Sequence, residues 1–215
     1  MTTTAERHEA PDLSSGYATV ASRAFEWSRR LPDQIAMREK DFGIWQEYSW
    51  KKAWELIHLA AHGLLALGVE PEDRVSIHSE DRPEWVILDL ATVAIRGITV
   101  GLYSTNPTPE VAYLLGDSGS TVHLAEDQEQ VDKVLEIDRA DIARMAKIIY
   151  VEPRGIRQYA DDRLLSWDDF VDLGREHMVE HPDAVYERMA AATADDVMTL
   201  VYTSGTTGPP KGAML

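Results

Sequence analysis

From residue 50 to residue 67 the apolar side chains fall at Trp50, Ala53, Ile57, Ala60, Leu64 and Leu67. That three-and-four spacing predicts a long helix with one buried face. Ser49 precedes it as an N-cap, Gly68 closes it, and Pro71 lies beyond. Upstream, Val20, Ala24 and Trp27 share one face of a shorter helix predicted over Tyr17–Leu31. Between the two, Gln34–Arg38 and Ile44–Tyr48 read as strands joined by a turn at Asp41-Phe42-Gly43.

After residue 70 the pattern becomes an alternation. Strands are predicted at Arg74–His78, Ile98–Leu102, Thr121–Ala125 and Lys147–Val151. Helices fall between them: Asp81 and Pro83 open one through Ile95 that is apolar nearly all round, and Gly97 ends it. Asn106-Pro-Thr-Pro-Glu110 caps a helix over Glu110–Leu115, and Gln128–Ile137 turns Val131, Val134 and Leu135 inward. Strand–helix alternation predicts an α/β fold with a mostly parallel sheet flanked by helices. Residues 152–166 read as a loop or hairpin, followed by helices over Trp167–Glu176 and Pro182–Ala192. Asp195-Asp196 then introduce an apolar strand, Met198–Tyr202. Residues 1–16 read as a flexible tail.

Composition narrows the function classes. The chain has 215 residues, 37 acids against 21 bases and a net charge of −16. A surface of that sign repels nucleic acid and anionic membranes. No cysteine is present, which removes disulfides and thiol chemistry. No apolar run reaches the roughly 18–20 residues of a membrane span, and Met1–Ser15 lacks the apolar core of a signal peptide. A cytoplasmic location is the expectation.

The chemistry is concentrated near residue 203. Thr203, Ser204, Thr206 and Thr207 supply four hydroxyls, Gly205, Gly208 and Gly212 three glycines, and Lys211 an ammonium, all within ten residues. Hydroxyls, bare backbone and a lysine are what a protein uses to hold polyphosphate. Glycine lets backbone approach closely, Pro209 and Pro210 stiffen the segment, and Lys211 acts as a point charge. The segment is not a Walker A loop. Counting from Gly205, the second required glycine falls on Pro210, and Gly212 follows Lys211 where a hydroxyl should be. A plain Gly/Thr turn between two strands is the alternative reading.

Tyr202-Thr-Ser-Gly-Thr-Thr-Gly-Pro-Pro-Lys-Gly212 resembles the phosphate-binding signature of the AMP-forming adenylating enzymes. Trp45-Gln-Glu-Tyr-Ser-Trp50, Asp81-Arg-Pro-Glu-Trp85, Gly101-Leu-Tyr-Ser-Thr-Asn-Pro107, Ala112-Tyr-Leu-Leu115 and Ala125-Glu-Asp-Gln-Glu-Gln-Val131 resemble the long-chain fatty-acid branch of the acyl-CoA synthetases. Ser104 stands where that branch carries proline. The resemblance covers roughly residues 17–215 and implies part of an AMP-binding large domain, an incomplete N-terminal lobe that stops after the phosphate loop. It implies ATP, Mg²⁺ and coenzyme A as ligands of the whole enzyme, with a fatty acid as substrate. A carboxylate would be coupled to ATP with loss of pyrophosphate, and the acyl group then passed to coenzyme A.

Carried over residue by residue, Thr203 helps hold Mg²⁺, and Ser204, Gly205, Thr206, Thr207 and Gly208 cradle the β- and γ-phosphates. Lys211 stabilises the leaving group. The remaining nucleotide contacts, most of the acyl pocket and the mobile C-terminal domain would lie after Leu215, so the missing C-terminal portion is itself an implied partner. This length of chain is expected to be inactive alone. Two other readings share the loop: a short-chain or aryl ligase, and a non-catalytic nucleotide-binding or interaction module.

Other constellations carry less. His58 and His62 share a helix face, but Leu59 stands where a zincin needs glutamate, so rim histidines are expected. Glu126-Asp-Gln-Glu129 reads as a helix start. Tyr103–Pro107 lies after a strand, where it could line a cleft or be a plain loop. Trp50 and Trp54 read as core.

Overall fold

The computed structural model describes residues 19–203 and 209–215. The tail expected over residues 1–16 lies outside them, as do Ser204, Gly205, Thr206, Thr207 and Gly208. The chain opens with α1 (Val20–Arg30), capped by the Thr19 hydroxyl, and a hairpin of β1 (Ile35–Asp41) and β2 (Ile44–Ser49). Phe42 and Gly43 both take positive φ in the connecting turn, as the tight primed hairpin turns require. Next comes α2 (Trp50–Ala66), with Ser49 accepting from the Lys52 amide.

The alternation that follows is β3 (Arg74–His78), α3 (Pro83–Ala94), β4 (Ile98–Leu102), α4 (Thr108–Ser118), β5 (Val122–Ala125), α5 (Gln128–Leu135) and β6 (Lys147–Tyr150). The chain then runs through β7 (Leu164–Ser166), α6 (Trp167–Glu180), α7 (Ala184–Ala190), β8 (Thr199–Thr203) and β9 (Lys211–Met214). The last seven strands in order of space are β7-β6-β5-β3-β4-β8-β9. All pairings are parallel except β8 with β9. The predicted α/β sheet is therefore present, with β3 at its centre.

Two apolar layers hold it. On one face Val75, Ile77, Val122 and Leu124 pack against Ile57, Leu64, Leu88, Ala91 and Phe170 of α2, α3 and α6. On the other, Val100, Leu102 and Ile148 meet Val111, Leu115, Val131 and Val134 of α4 and α5. Each such aliphatic side chain, once buried, contributes about 1.5–3 kcal/mol. The predicted inward faces of α2 and α5 are the observed ones, and Trp54 is core as expected. In α1 the predicted face is wrong: Ala21, Ala24, Phe25 and Ser28 are buried, and Val20 and Trp27 are exposed, because Phe25 turns in to pack on Trp54. Asp127 caps α5 through a capping box with Gln130, so the acidic stretch is a helix start.

Three further features depart from the sequence reading. Within 152–166, residues 164–166 form a parallel edge strand. Lys211–Met214 is a strand too, although its Lys-Gly-Ala run carries little strand propensity. His62 is fully buried and donates to or accepts from His177, Nδ1 to Nδ1 at 2.9 Å, so it is no rim histidine. The reason is a second helix contact on α2. A Cβ added at Gly174 of α6 would lie 2.1 Å from the Leu59 carbonyl oxygen. Only glycine admits that approach, and it lays α6 over the histidine face.

Candidate phosphate-binding site

The carboxyl ends of parallel strands form the ligand-binding edge of an open α/β sheet, and β8 delivers Thr203 there. The strand is anchored at its start by Arg96, whose Nε and Nη2 donate to Asp196 at 2.6 and 2.9 Å. That two-pronged hydrogen bond, with burial opposing, brings the Asp196 carboxyl down to about 2. β8 then pairs in parallel with β4 through Thr99↔Thr199 and Val100↔Leu200.

β9 returns alongside, with Leu200↔Met214, Val201↔Ala213, Tyr202↔Gly212 and Thr203↔Lys211 in register. Directly opposed residues of an antiparallel pair project to the same face, with Cβ atoms about 4.5–5.5 Å apart. Thr203 and Lys211 thus lie opposite each other on one face of the hairpin, and both residues are exposed. A hydroxyl and an ammonium carried on one face suit an anionic phosphate chain.

The opposite face of the hairpin is packed down. The Tyr202 ring lies across Gly212, where an added Cβ would sit 3.2 Å from the ring. Gly212 therefore has a structural reason beyond backbone access to phosphate. The Tyr202 hydroxyl donates to Asp117 Oδ2 at 2.7 Å. Burial first, then the Asp117 carboxylate, pushes that phenol well above its usual range, so it stays a neutral donor. One turn away on α4, the Tyr113 hydroxyl donates to the Pro210 carbonyl at 2.9 Å. Sequence reasoning missed Tyr113 and Asp117; their i, i+4 spacing on α4 was the available signal.

Neighbouring loops at this edge are laced to each other. The Ser104 hydroxyl donates to Glu80, and the Lys133 ammonium donates to the Ser104 carbonyl at 2.9 Å while pairing with Glu129 at 2.8 Å. The Glu80 amide donates to Glu126 at 2.7 Å. Ser104, the position that differs from the long-chain pattern, is thus a tie between the β3 and β4 loops. Beneath them Ser76, His78 and His123 are buried on the α4–α5 face of the sheet. Ser76 Oγ and His123 Nδ1 are hydrogen-bonded at 2.8 Å. Among the described residues no group of three or more His, Asp or Glu side chains is arranged to hold a metal. No helix among them is long and apolar enough to cross a membrane.

A mostly parallel sheet flanked by helices, with a hydroxyl–lysine hairpin at its carboxyl edge, defines an α/β lobe. Residues 24–215 match the AMP-binding enzyme family, and the chain belongs to it. It is 34% identical over 206 residues to the long-chain-fatty-acid–CoA ligase FadD15 of Mycobacterium bovis, covering 96% of this chain and 32% of that protein. It is 31% identical over 209 residues to the human long-chain-fatty-acid–CoA ligase ACSBG2, covering 97% of this chain and 29% of that one. The chain thus spans about a third of the length of these relatives. Among solved structures, the anthranilate CoA ligase AuaEII in complex with anthranoyl-AMP superposes with a TM-score of 0.74 at 23% identity, over 92% of this chain and 34% of that one. The acetoacetyl-CoA synthetase of Streptomyces lividans gives 0.69 at 23%, over 90% and 29%. At that identity the structures speak for the fold.

Proposed function

We propose that this chain is the N-terminal part of a long-chain fatty-acid–CoA ligase of the AMP-forming type, with residues 17–215 forming part of its large domain. The observation that carries the site is the pairing of Thr203 with Lys211 at the mouth of a Gly/Thr loop on the ligand edge of the sheet. In the whole ligase, a fatty-acid carboxylate attacks the α-phosphate of ATP and pyrophosphate departs. Charge builds on the departing oxygens, and fixed donors aimed at them lower the barrier. Lys211 and the hydroxyl of Thr203, with Ser204, Gly205, Thr206, Thr207 and Gly208 between them, hold the β- and γ-phosphates and stabilise the leaving group. These residues move no proton. Coenzyme A as acyl acceptor is supported by the names of the relatives; Mg²⁺ as counter-ion beside Thr203 and a cytoplasmic setting complete the proposal. The 215 residues here are assigned the phosphate contacts only.

Isothermal titration of this chain with Mg-ATP, Mg-pyrophosphate and AMP tests it. ATP and pyrophosphate should bind and AMP far more weakly, because the loop grips the outer phosphates. Lys211→Ala should weaken ATP about tenfold, the equivalent of one charge-assisted contact of about 1.4 kcal/mol. Equal affinities for AMP and ATP, or indifference to Lys211→Ala, would overturn the assignment.

A further inference from the structure

Both ends of the phosphate loop are tied to one helix. On the strand entering it, the Tyr202 hydroxyl reaches Asp117 at 2.7 Å. On the strand leaving it, the carbonyl of Pro210, next to Lys211, accepts from Tyr113 at 2.9 Å. Tyr113 and Asp117 lie four residues apart and so share a face of α4. That helix is itself fixed by Val111, Leu114 and Leu115 in the apolar layer beneath the sheet. We propose that Tyr113, Asp117 and Tyr202 are positioning residues that set the separation and orientation of Thr203 and Lys211 for a polyphosphate.

The chemistry favours a positional role over direct contact. Tyr202 is opposite Gly212, on the other face of the ladder from Thr203 and Lys211. Asp117 carries the wrong sign to face a phosphate. Its carboxylate acts instead as an acceptor that aligns the Tyr202 ring across Gly212, where an added Cβ would lie 3.2 Å from that ring. With the ring held there, the register of β8 on β9 is held too. A slip of one residue would send Lys211 to the opposite face from Thr203. The ligand consequence rests on the phosphate-binding reading; the mechanical consequence does not.

Two readouts on the 215-residue chain separate them. Hydrogen exchange of the β8 and β9 amides reports the clamp without any ligand. Asp117→Ala and Tyr202→Phe should each speed exchange there about threefold to tenfold, as loss of one hydrogen bond allows. The amides of β3 and β5 should be unchanged. The double variant should exceed neither single, since both remove the same bond. Asp117→Asn should restore protection, because its amide oxygen still accepts from Tyr202.

Titration with Mg-ATP and Mg-pyrophosphate should show the same ranking, with Tyr113→Phe also weakened. Unchanged exchange in Asp117→Ala overturns the clamp whatever happens to the nucleotide. Faster exchange with unchanged affinity overturns the positioning role. No nucleotide binding by the unsubstituted chain overturns the phosphate reading, while exchange still decides the clamp.

Discussion

Lowering the pH from 7.5 to 5.5 should cost this chain several kcal/mol of stability, through histidines that fold neutral. Burial holds His58 at about 4, and burial with the charges of His58, His177 and His181 holds His62 at about 3. His78 sits at about 4, from burial and then Lys133, against smaller opposition from the Tyr103 and Ser104 backbone. All three are ordinary imidazoles near 6.5 once unfolded. Below pH 6.5 the unfolded chain takes up protons that the native chain refuses, so stability falls as pH falls; above it the penalty vanishes.

Each histidine then contributes about 1.4 kcal/mol between pH 7.5 and 5.5, and the three together about 4 kcal/mol. His123, buried and lowered in the same direction, adds to the trend. Asp89 and Glu39 are raised by burial and oppose the trend. A loss of about 4 kcal/mol matters against a typical domain stability of about 5–15 kcal/mol. Urea unfolding at fixed pH, read by the fluorescence of the six tryptophans, gives the curve. His62→Gln should flatten it by one proton's worth of slope, whatever its effect on absolute stability. A change below about 1 kcal/mol across the window, or a slope unaffected by His62→Gln, would refute the argument that these rings are buried and uncharged.

Three further outcomes can be checked by the same unfolding assay. Gly174→Ala puts a methyl 2.1 Å from the Leu59 carbonyl, so α6 must move off α2, with a loss of about 3 kcal/mol. Phe170→Ala empties a fully buried ring site between those helices and should cost about 3–5 kcal/mol. Asp196→Ala removes both hydrogen bonds from a half-buried Arg96. It should cost about 1.5–3 kcal/mol, and hydrogen exchange should speed up first at Met198 and Thr199.

How much of this was legible follows from where each feature's cause lies. The central strands and the helices between them were read within a few residues, because buried strands and one-sided helices write their burial into local sequence. β7 escaped because three residues carry no period; its pairing with β6 is decided by β6. His62 was misplaced because α2 has two covered faces, and a one-face pattern leaves the second as apparent rim. Gly63 within α2 and Gly174 within α6 were the signal. Helix-interior glycine costs about 1 kcal/mol against alanine, and here a Cβ at Gly63 would strike the Phe170 ring at 2.6 Å.

The phosphate loop divides in the same way. Its donor chemistry is local: hydroxyls, glycines and Lys211 name an anion wherever the segment sits. Its geometry is not local. Lys211 reads as a mobile ammonium in sequence, but its backbone is locked into the ladder opposite Thr203, which leaves only the side chain free. What locks it is on the other face, where Tyr202 lies over Gly212 and reaches Asp117. Gly212 thus gives the ring close room on that face. A Cβ there would sit 3.2 Å from the ring, so Tyr202 would have to shift by a few tenths of an ångström. The residues that suggest a phosphate ligand and the residues that fix the hairpin's geometry are different sets, and only the first is contiguous in the chain.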